Sequence, residues 1–325
     1  MKIKKLAGIL LASGLLLSGC SSSSIVQEDG KDVVASIKDK NILADDLYSS
    51  LLTTPTGKSA VFNFALEKII ETYYPVDDDM KSYADDAIEN IESQYQSQYG
   101  DESETQLESA LAQSGFENMD DYREYLIQSL QYSTLIKDYA KNNFDTVFED
   151  YYKQATPRYL TLIKVSVADM DNPTTEEKEK LKEVKALLKT DKDFGEIASS
   201  YSDDDSASAK GELGIVDTTT GLSSQYGEDV EEKAFKLKSG EESGEIKGND
   251  GYYFLKCTST DKEKMKKELK NVDLNSPLLA YDSYMIYLAF NTYDLNYGDE
   301  DIKKQITDYV KEALKTRDEN IGGNN

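Results

Sequence analysis

Three features of the sequence bear on chemistry: the acidic run Asp203-Asp204-Asp205, the run GYYFLKC carrying Tyr253, and the complete absence of histidine from 325 residues. Without imidazole there can be no Ser-His-Asp triad, no Cys-His pair and no histidine-ligated zinc. The acidic run reads as a hydrated loop or, alternatively, as a calcium site. Cys257 closes GYYFLKC and reads as a small buried strand residue rather than a nucleophile. The other cysteine is Cys20; if it is modified, Cys257 has no partner for an intramolecular disulfide. The chain has 23 tyrosines and no tryptophan. Tyr73-Tyr74 and Tyr151-Tyr152 offer amphipathic rings that could hold extended polypeptide, or else are half-buried helix positions with the hydroxyl in water.

The N-terminus, MKIKKLAGILLASGLLLSGC, places lysines before an apolar run from Leu6 to Leu17 that is too short to span a bilayer as a stable helix. Leu17-Ser18-Gly19-Cys20 looks like a bacterial lipobox. Residues 1–19 are therefore expected to be a lipoprotein signal, Cys20 the lipidated residue, and residues 20–30 a flexible polar tether. The net charge of −25 disfavours nucleic acid and anionic headgroups as partners, because the long-range field repels both. No cofactor and no metal is expected.

The length allows about two domains. Val33–Ile37 alternates as a short strand, with a turn expected at Asp39-Lys40-Asn41 and a helix over Asp45–Leu52. Phe62, Leu66, Ile69 and Ile70 recur at helical spacing until Pro75. Asp77-Asp78-Asp79 suits the positive end of a following helix, whose apolar stripe is predicted to run Tyr83, Ala87, Ile91, Tyr95. Further helices are expected around Leu107–Ala112, along Tyr122–Ile136 and over Val147–Lys153. From Arg158 the pattern becomes α+β. Arg158–Val165 and Tyr252–Cys257 read as strands, Thr174–Thr190 and Phe194–Tyr201 as helices. After Asp261 helical periodicity resumes, including one run over Leu278–Leu288.

The segment Arg158 to about Ser259 resembles a parvulin-type peptidyl-prolyl isomerase domain. The resemblance is carried, in the family's order, by GELG at Gly211–Gly214, by AFKLKSGEESGEI and by GYYFLKC. With Lys164 aligned to the lysine of the first strand, the family's first histidine falls on Leu160, or on Thr161 after a one-residue slip. The central acid falls on Asp204 and the second histidine on Tyr253. By the same resemblance Leu162, Lys164, Val216, Leu222 and Val230 are the substrate-binding positions, with aliphatic residues where the family has an aromatic pocket. Rotation about an X-Pro bond needs no nucleophile; its barrier of about 18–20 kcal/mol is amide resonance. A catalyst must seat proline in an apolar pocket and favour the twisted amide. Losing one preorganised polar group often costs about a hundredfold. Weak or absent isomerase activity is the expectation; an active isomerase using Asp204 and Tyr253 is the alternative.

The flanks resemble the SurA and PrsA chaperones, in VVASIKDKNILADDLY and in YGDESETQLESALAQSGFENMDDYREYLIQSL. The order of lipobox, helices, parvulin-like domain and helices resembles a PrsA-type foldase lipoprotein. That implies an α+β fold: a mostly helical chaperone domain from residues 31–156 and 260–325, with a parvulin-like domain, 157–259, inserted. The implied protein sits on the outer face of the bacterial cytoplasmic membrane through its lipid anchor and assists unfolded or newly secreted polypeptides. A homodimer stays open. A solute-binding lipoprotein of an importer is a further alternative, although such proteins repeat βα units and the first 150 residues here are helical with one short strand.

Overall fold

The computed structural model describes residues 26–38 and 40–322. Within them the chain opens on an antiparallel three-stranded sheet, β1 (Gln27–Glu28), β2 (Lys31–Ile37) and β3 (Lys40–Leu43). Asp29 and Gly30 both have positive φ, 51° and 79°, the pairing that a tight two-residue hairpin between right-twisted strands requires. Residues 27–30 are thus a strand and its turn, not the flexible tether expected for them. Lys40 and Asn41, expected in a turn, pair with Ile37 and Ser36 instead. The third residue of that turn, Asp39, lies outside the described residues, as do the expected signal and Cys20.

Helices follow: α1 (Ala44–Leu52), α2 (Pro55–Tyr73), α3 (Asp78–Tyr99), α4 (Ser103–Gln113) and α5 (Met119–Asn142). Thr54 caps α2, its hydroxyl accepting from Gly57 N at 3.0 Å, and Asp77 caps α3 through Met80 N at 2.8 Å. On α3 the buried residue is Ala84, while Tyr83, placed on the inner stripe by the sequence, is 58% exposed. The next elements are α6 (Phe144–Gln154), β4 (Arg158–Ser166), α7 (Thr175–Leu187), α8 (Phe194–Tyr201), β5 (Glu212–Val216), α9 (Leu222–Tyr226) and α10 (Glu228–Lys236). Then come β6 (Ile246–Lys247), β7 (Gly251–Ser259), α11 (Lys262–Glu268), α12 (Met285–Phe290) and α13 (Glu300–Gly322). The single helical run expected over Leu278–Leu288 is a 3-10 turn at Pro277–Leu279 and then α12, with a non-helical break between them.

Two compact units result, one from the residues up to Tyr139 together with those from Tyr284, the other from Ala140–Ser283. The helical unit is discontinuous in sequence. Its core joins Phe62, Leu66, Ile69 and Ile70 of α2 and Leu135 of α5 to Ile286, Ala289 and Phe290 of α12 and Ile306 and Val310 of α13. The second unit is α+β, built on an antiparallel sheet in the order β5-β4-β7-β6. Side chains alternate across that sheet. Ile163, Val165 and Phe254 pack against α7 and α8 on one face; Leu160, Leu162, Tyr253, Leu255 and Cys257 point to α9 and α10 on the other. α6 belongs to this unit, with Tyr151 donating to Asp217 at 2.8 Å and Tyr152 to Thr260 O at 2.7 Å. Arg158 is buried and donates to the Ala234 and Leu237 carbonyls, both at 2.9 Å, so a cation closes the C-terminal end of α10.

Candidate functional site

Antiparallel pairing of β4 with β7 sets Lys164 opposite Tyr253 and Leu160 opposite Cys257. Period-two alternation then carries Leu160, Leu162 and Tyr253 onto one face of the sheet. Val216 arrives from the end of β5, Leu222 from α9 and Val230 from α10, and all six side chains fall in one cluster with Leu255 and Cys257. The sequence thus names a real spatial constellation. It is closed, however: Leu162, Val230 and Tyr253 have no exposed area, and Leu160, Val216 and Leu222 have 2% each. A proline ring needs apolar area in contact with solvent before it binds, and these residues spend theirs on one another. Fully burying such a side chain contributes about 1.5–3 kcal/mol, so opening the cluster for a ligand forfeits several such terms.

Tyr253 explains much of the closure. Its ring packs 5.5 Å from that of Tyr226 and lies against Gly248, where a Cβ would come within 2.4 Å of Tyr253 Cε2. Its hydroxyl donates to Asp250, and Lys164 Nζ sits 2.6 Å from the other oxygen of the same carboxylate. Burial, then Asp250, pushes the Tyr253 phenol far above its ordinary range, so at neutral pH it is held protonated. At this position the chain has a phenol committed to a neighbouring ion pair, with no basic function to offer.

Asp204 is half-buried and serves its own loop. It caps the 3-10 turn Asp205–Ala209, accepting from Ser206 N at 3.0 Å and from the Ser206 hydroxyl at 2.5 Å. It lies beside Tyr226 rather than against Tyr253: burial and then Asp204 push the Tyr226 hydroxyl up to about 12. Asp203 accepts from Ser166 N at 2.9 Å and pairs with Lys180 at 2.5 Å. The acidic run is therefore stitched into the edge of β4, and among the described residues no group of three or more His, Cys, Asp or Glu is placed to hold a metal. Cys257 is fully buried and its thiol is pushed up by desolvation, as suits a strand residue.

Sequence reasoning missed Tyr226 and Asp250. Nothing in the sequence marks Tyr226. For Asp250 there was a signal, an acid placed next to the glycine that opens β7 and three residues before Tyr253. Burial pushes the Asp250 carboxyl up, but the hydrogen bonds from Lys164 and Tyr253 outweigh that and hold it below the usual carboxylate range. A depressed carboxylate contributes stability above its unfolded value, near pH 4, that is lost as pH falls through its folded value. The carboxylate is largely exposed, so we expect less than about 1 kcal/mol. Denaturant unfolding at pH 7 and pH 3 should show this increment in the parent chain and not in Asp250→Asn.

Residues 162–259 match the rotamase family described as a PPIC-type PPIase domain. A curated relative, foldase protein PrsA of Staphylococcus aureus (strain bovine RF122 / ET3-1), is 29% identical, covering 97% of this chain and 95% of its own. PrsA of S. aureus strain Newman matches to the same extent. Among solved structures, PrsA from Streptococcus pneumoniae is 21% identical with a TM-score of 0.43, covering 85% of this chain and 99% of its own. PrsA from Bacillus subtilis is 25% identical with a TM-score of 0.39, covering 85% and 98%. With a PPIC-type domain at its centre, the chain is similar nearly end to end to the curated PrsA foldases.

Proposed function

We propose that this chain is a lipid-anchored extracytoplasmic foldase whose PPIC-type domain has little or no isomerase activity and serves as a packed, non-catalytic module. The kinship with PrsA proteins supports the foldase role. The observation that carries the loss of catalysis is the closed cluster: the side chains at the proline-pocket positions are buried among themselves, and no histidine exists anywhere in the chain. In this reading the helical unit, from the residues up to Tyr139 and those from Tyr284, holds unfolded clients, and the α+β unit, Ala140–Ser283, adds surface without chemistry. The anchor rests on the lipobox at Cys20, and among the described residues no helix is long and apolar enough to cross a membrane. Mass measurement of the N-terminal peptide from bacterial membranes would show unmodified Cys20 if the anchor is wrong.

The catalytic question is decided by exchange NMR on an X-Pro peptide, comparing the parent chain with Asp204→Ala. We expect both at the uncatalysed rate, while the parent suppresses aggregation of an unfolded client. A parent rate well above background that falls in Asp204→Ala would instead establish an isomerase working without imidazole.

A further inference from the structure

Between Asp77 and Glu124 the sequence carries fifteen Asp and Glu against two cations, roughly half of the whole chain's net charge of −25. Both cations are already engaged. Lys81 Nζ is 3.0 Å from Asp78, and Arg123 Nε is 2.6 Å from Asp85. The field of this helical arm is therefore almost wholly negative.

Aromatic rings sit in that field and outside the unit's core. Phe116, in the loop between α4 and α5, meets Tyr122 edge-on at 5.0 Å and Tyr125 at 5.2 Å, and the two tyrosines stack at 6.2 Å. Tyr125 is 39% exposed and Tyr83 on α3 is 58% exposed. The Arg123–Asp85 ion pair fastens α5 to α3, and Tyr83 on α3 stands beside the Tyr122 ring, whose hydroxyl burial, Tyr125 and Tyr83 raise in that order. The ring cluster on α5 and Tyr83 on α3 thus lie on two helices held together. Helical spacing puts Asp79 and Asp86 on either side of Tyr83, four residues before it and three after.

Each component selects the same partner. An aromatic face is negative and attracts a cation that lies over it. Carboxylates around it add Coulombic attraction and repel anionic chain. The apolar stem of lysine or arginine covers the ring while its head reaches the acids. A merely hydrated helix face needs the charges but not three mutually packed rings left half in water.

We propose that this aromatic-acidic patch on α3, the α4–α5 loop and α5 docks lysine- and arginine-bearing segments of unfolded polypeptide. The proposal rests on the foldase reading and gives it a substrate class: clients are recognised by their cations, with neighbouring apolar residues in second place.

The test uses the full chain and two labelled, unstructured peptides, one alternating Lys and Leu, the other with every Lys replaced by Gln, read by fluorescence anisotropy. We expect the Lys peptide to bind at least tenfold tighter and to weaken steeply with salt. Tyr83→Leu/Tyr125→Leu, which keeps apolar bulk and removes the ring faces, should cost at least fivefold on the Lys peptide and nothing on the Gln peptide. Asp79→Asn/Asp86→Asn should flatten the salt dependence, with circular dichroism confirming that both variants stay helical. Equal binding of the two peptides, or unchanged affinity in both variants, overturns the proposal. Suppression of client aggregation, measured alongside, separates the two ideas. Suppression without Lys preference sinks the patch and keeps the foldase; Lys preference without suppression does the reverse.

Discussion

Gly211→Ala is expected to destabilise the α+β unit by about 3–5 kcal/mol, close to the whole stability of a marginal domain. Two costs combine. Gly211 has φ +76°, a left-handed backbone that costs a residue with a Cβ about 1–3 kcal/mol. A Cβ there would also lie 2.3 Å from the Leu162 carbonyl oxygen and 2.9 Å from Ala198 Cβ. Neither can give way cheaply, because Leu162 N bonds to Gly211 O at 2.8 Å and Ala198 is buried in α8. Forcing overpacked atoms apart costs about 1–3 kcal/mol more. Gly214, three residues on in the same GELG segment, is the internal control. Its φ is +72° but a Cβ would meet nothing within 4 Å, so Gly214→Ala should carry only the backbone cost. Denaturant midpoints of the two variants decide the matter: equal losses would mean that the close approach at Gly211 relaxes freely.

The second large effect concerns Asp217, a buried carboxylate at the end of β5 that accepts from Tyr151 at 2.8 Å and from Thr219 N and Oγ1 at 2.7 and 2.6 Å. Asp217→Ala strands the fully buried Tyr151 hydroxyl and frees the turn that follows. Unsatisfied buried groups cost about 1–3 kcal/mol each, and Thr219 can recover water, so we expect about 3 kcal/mol in all. Tyr151→Phe leaves the carboxylate its other donors and should cost about 2 kcal/mol, a lost hydrogen bond to a charged acceptor. The double variant should then fall short of the sum by at least 1 kcal/mol. Additivity would mean that α6 is not fastened to the sheet through this pair.

How much of this was legible in the sequence depends on where burial leaves a period. Phe194–Tyr201 was read to the residue, and Thr174–Thr190 nearly so, because a cap and an apolar stripe bound each helix. The hairpin at residues 27–30 was lost because its strands are exposed, so no alternation records them. β5 was lost because GELG hides a strand under glycines. The run Leu278–Leu288 misled because apolar residues are needed on both sides of the break, and periodicity does not register a break. At the site, the parvulin resemblance pointed to Leu160, Leu162, Val216, Leu222, Val230 and Tyr253, and the fold gathers all six into one cluster. Whether that face is open or packed was not legible: aliphatic residues line pockets and fill cores alike, and the difference lies in how closely α9 and α10 approach. The partner of Tyr253 is likewise set by a loop geometry that no residue count encodes.

The discontinuity of the helical unit has a consequence for the order of events when the chain is made. A polypeptide produced from its N-terminus forward presents Phe62, Leu66, Ile69 and Ile70 long before Ile286, Phe290, Ile306 and Val310 exist to cover them. The α+β unit is continuous in sequence and can close as soon as residue 283 is available. The helical unit, begun first, finishes last, and for most of synthesis α2 waits with an apolar stripe exposed. The chain thus spends its own synthesis with its earliest segment unsheltered, the very condition that the proposed foldase role would relieve in others.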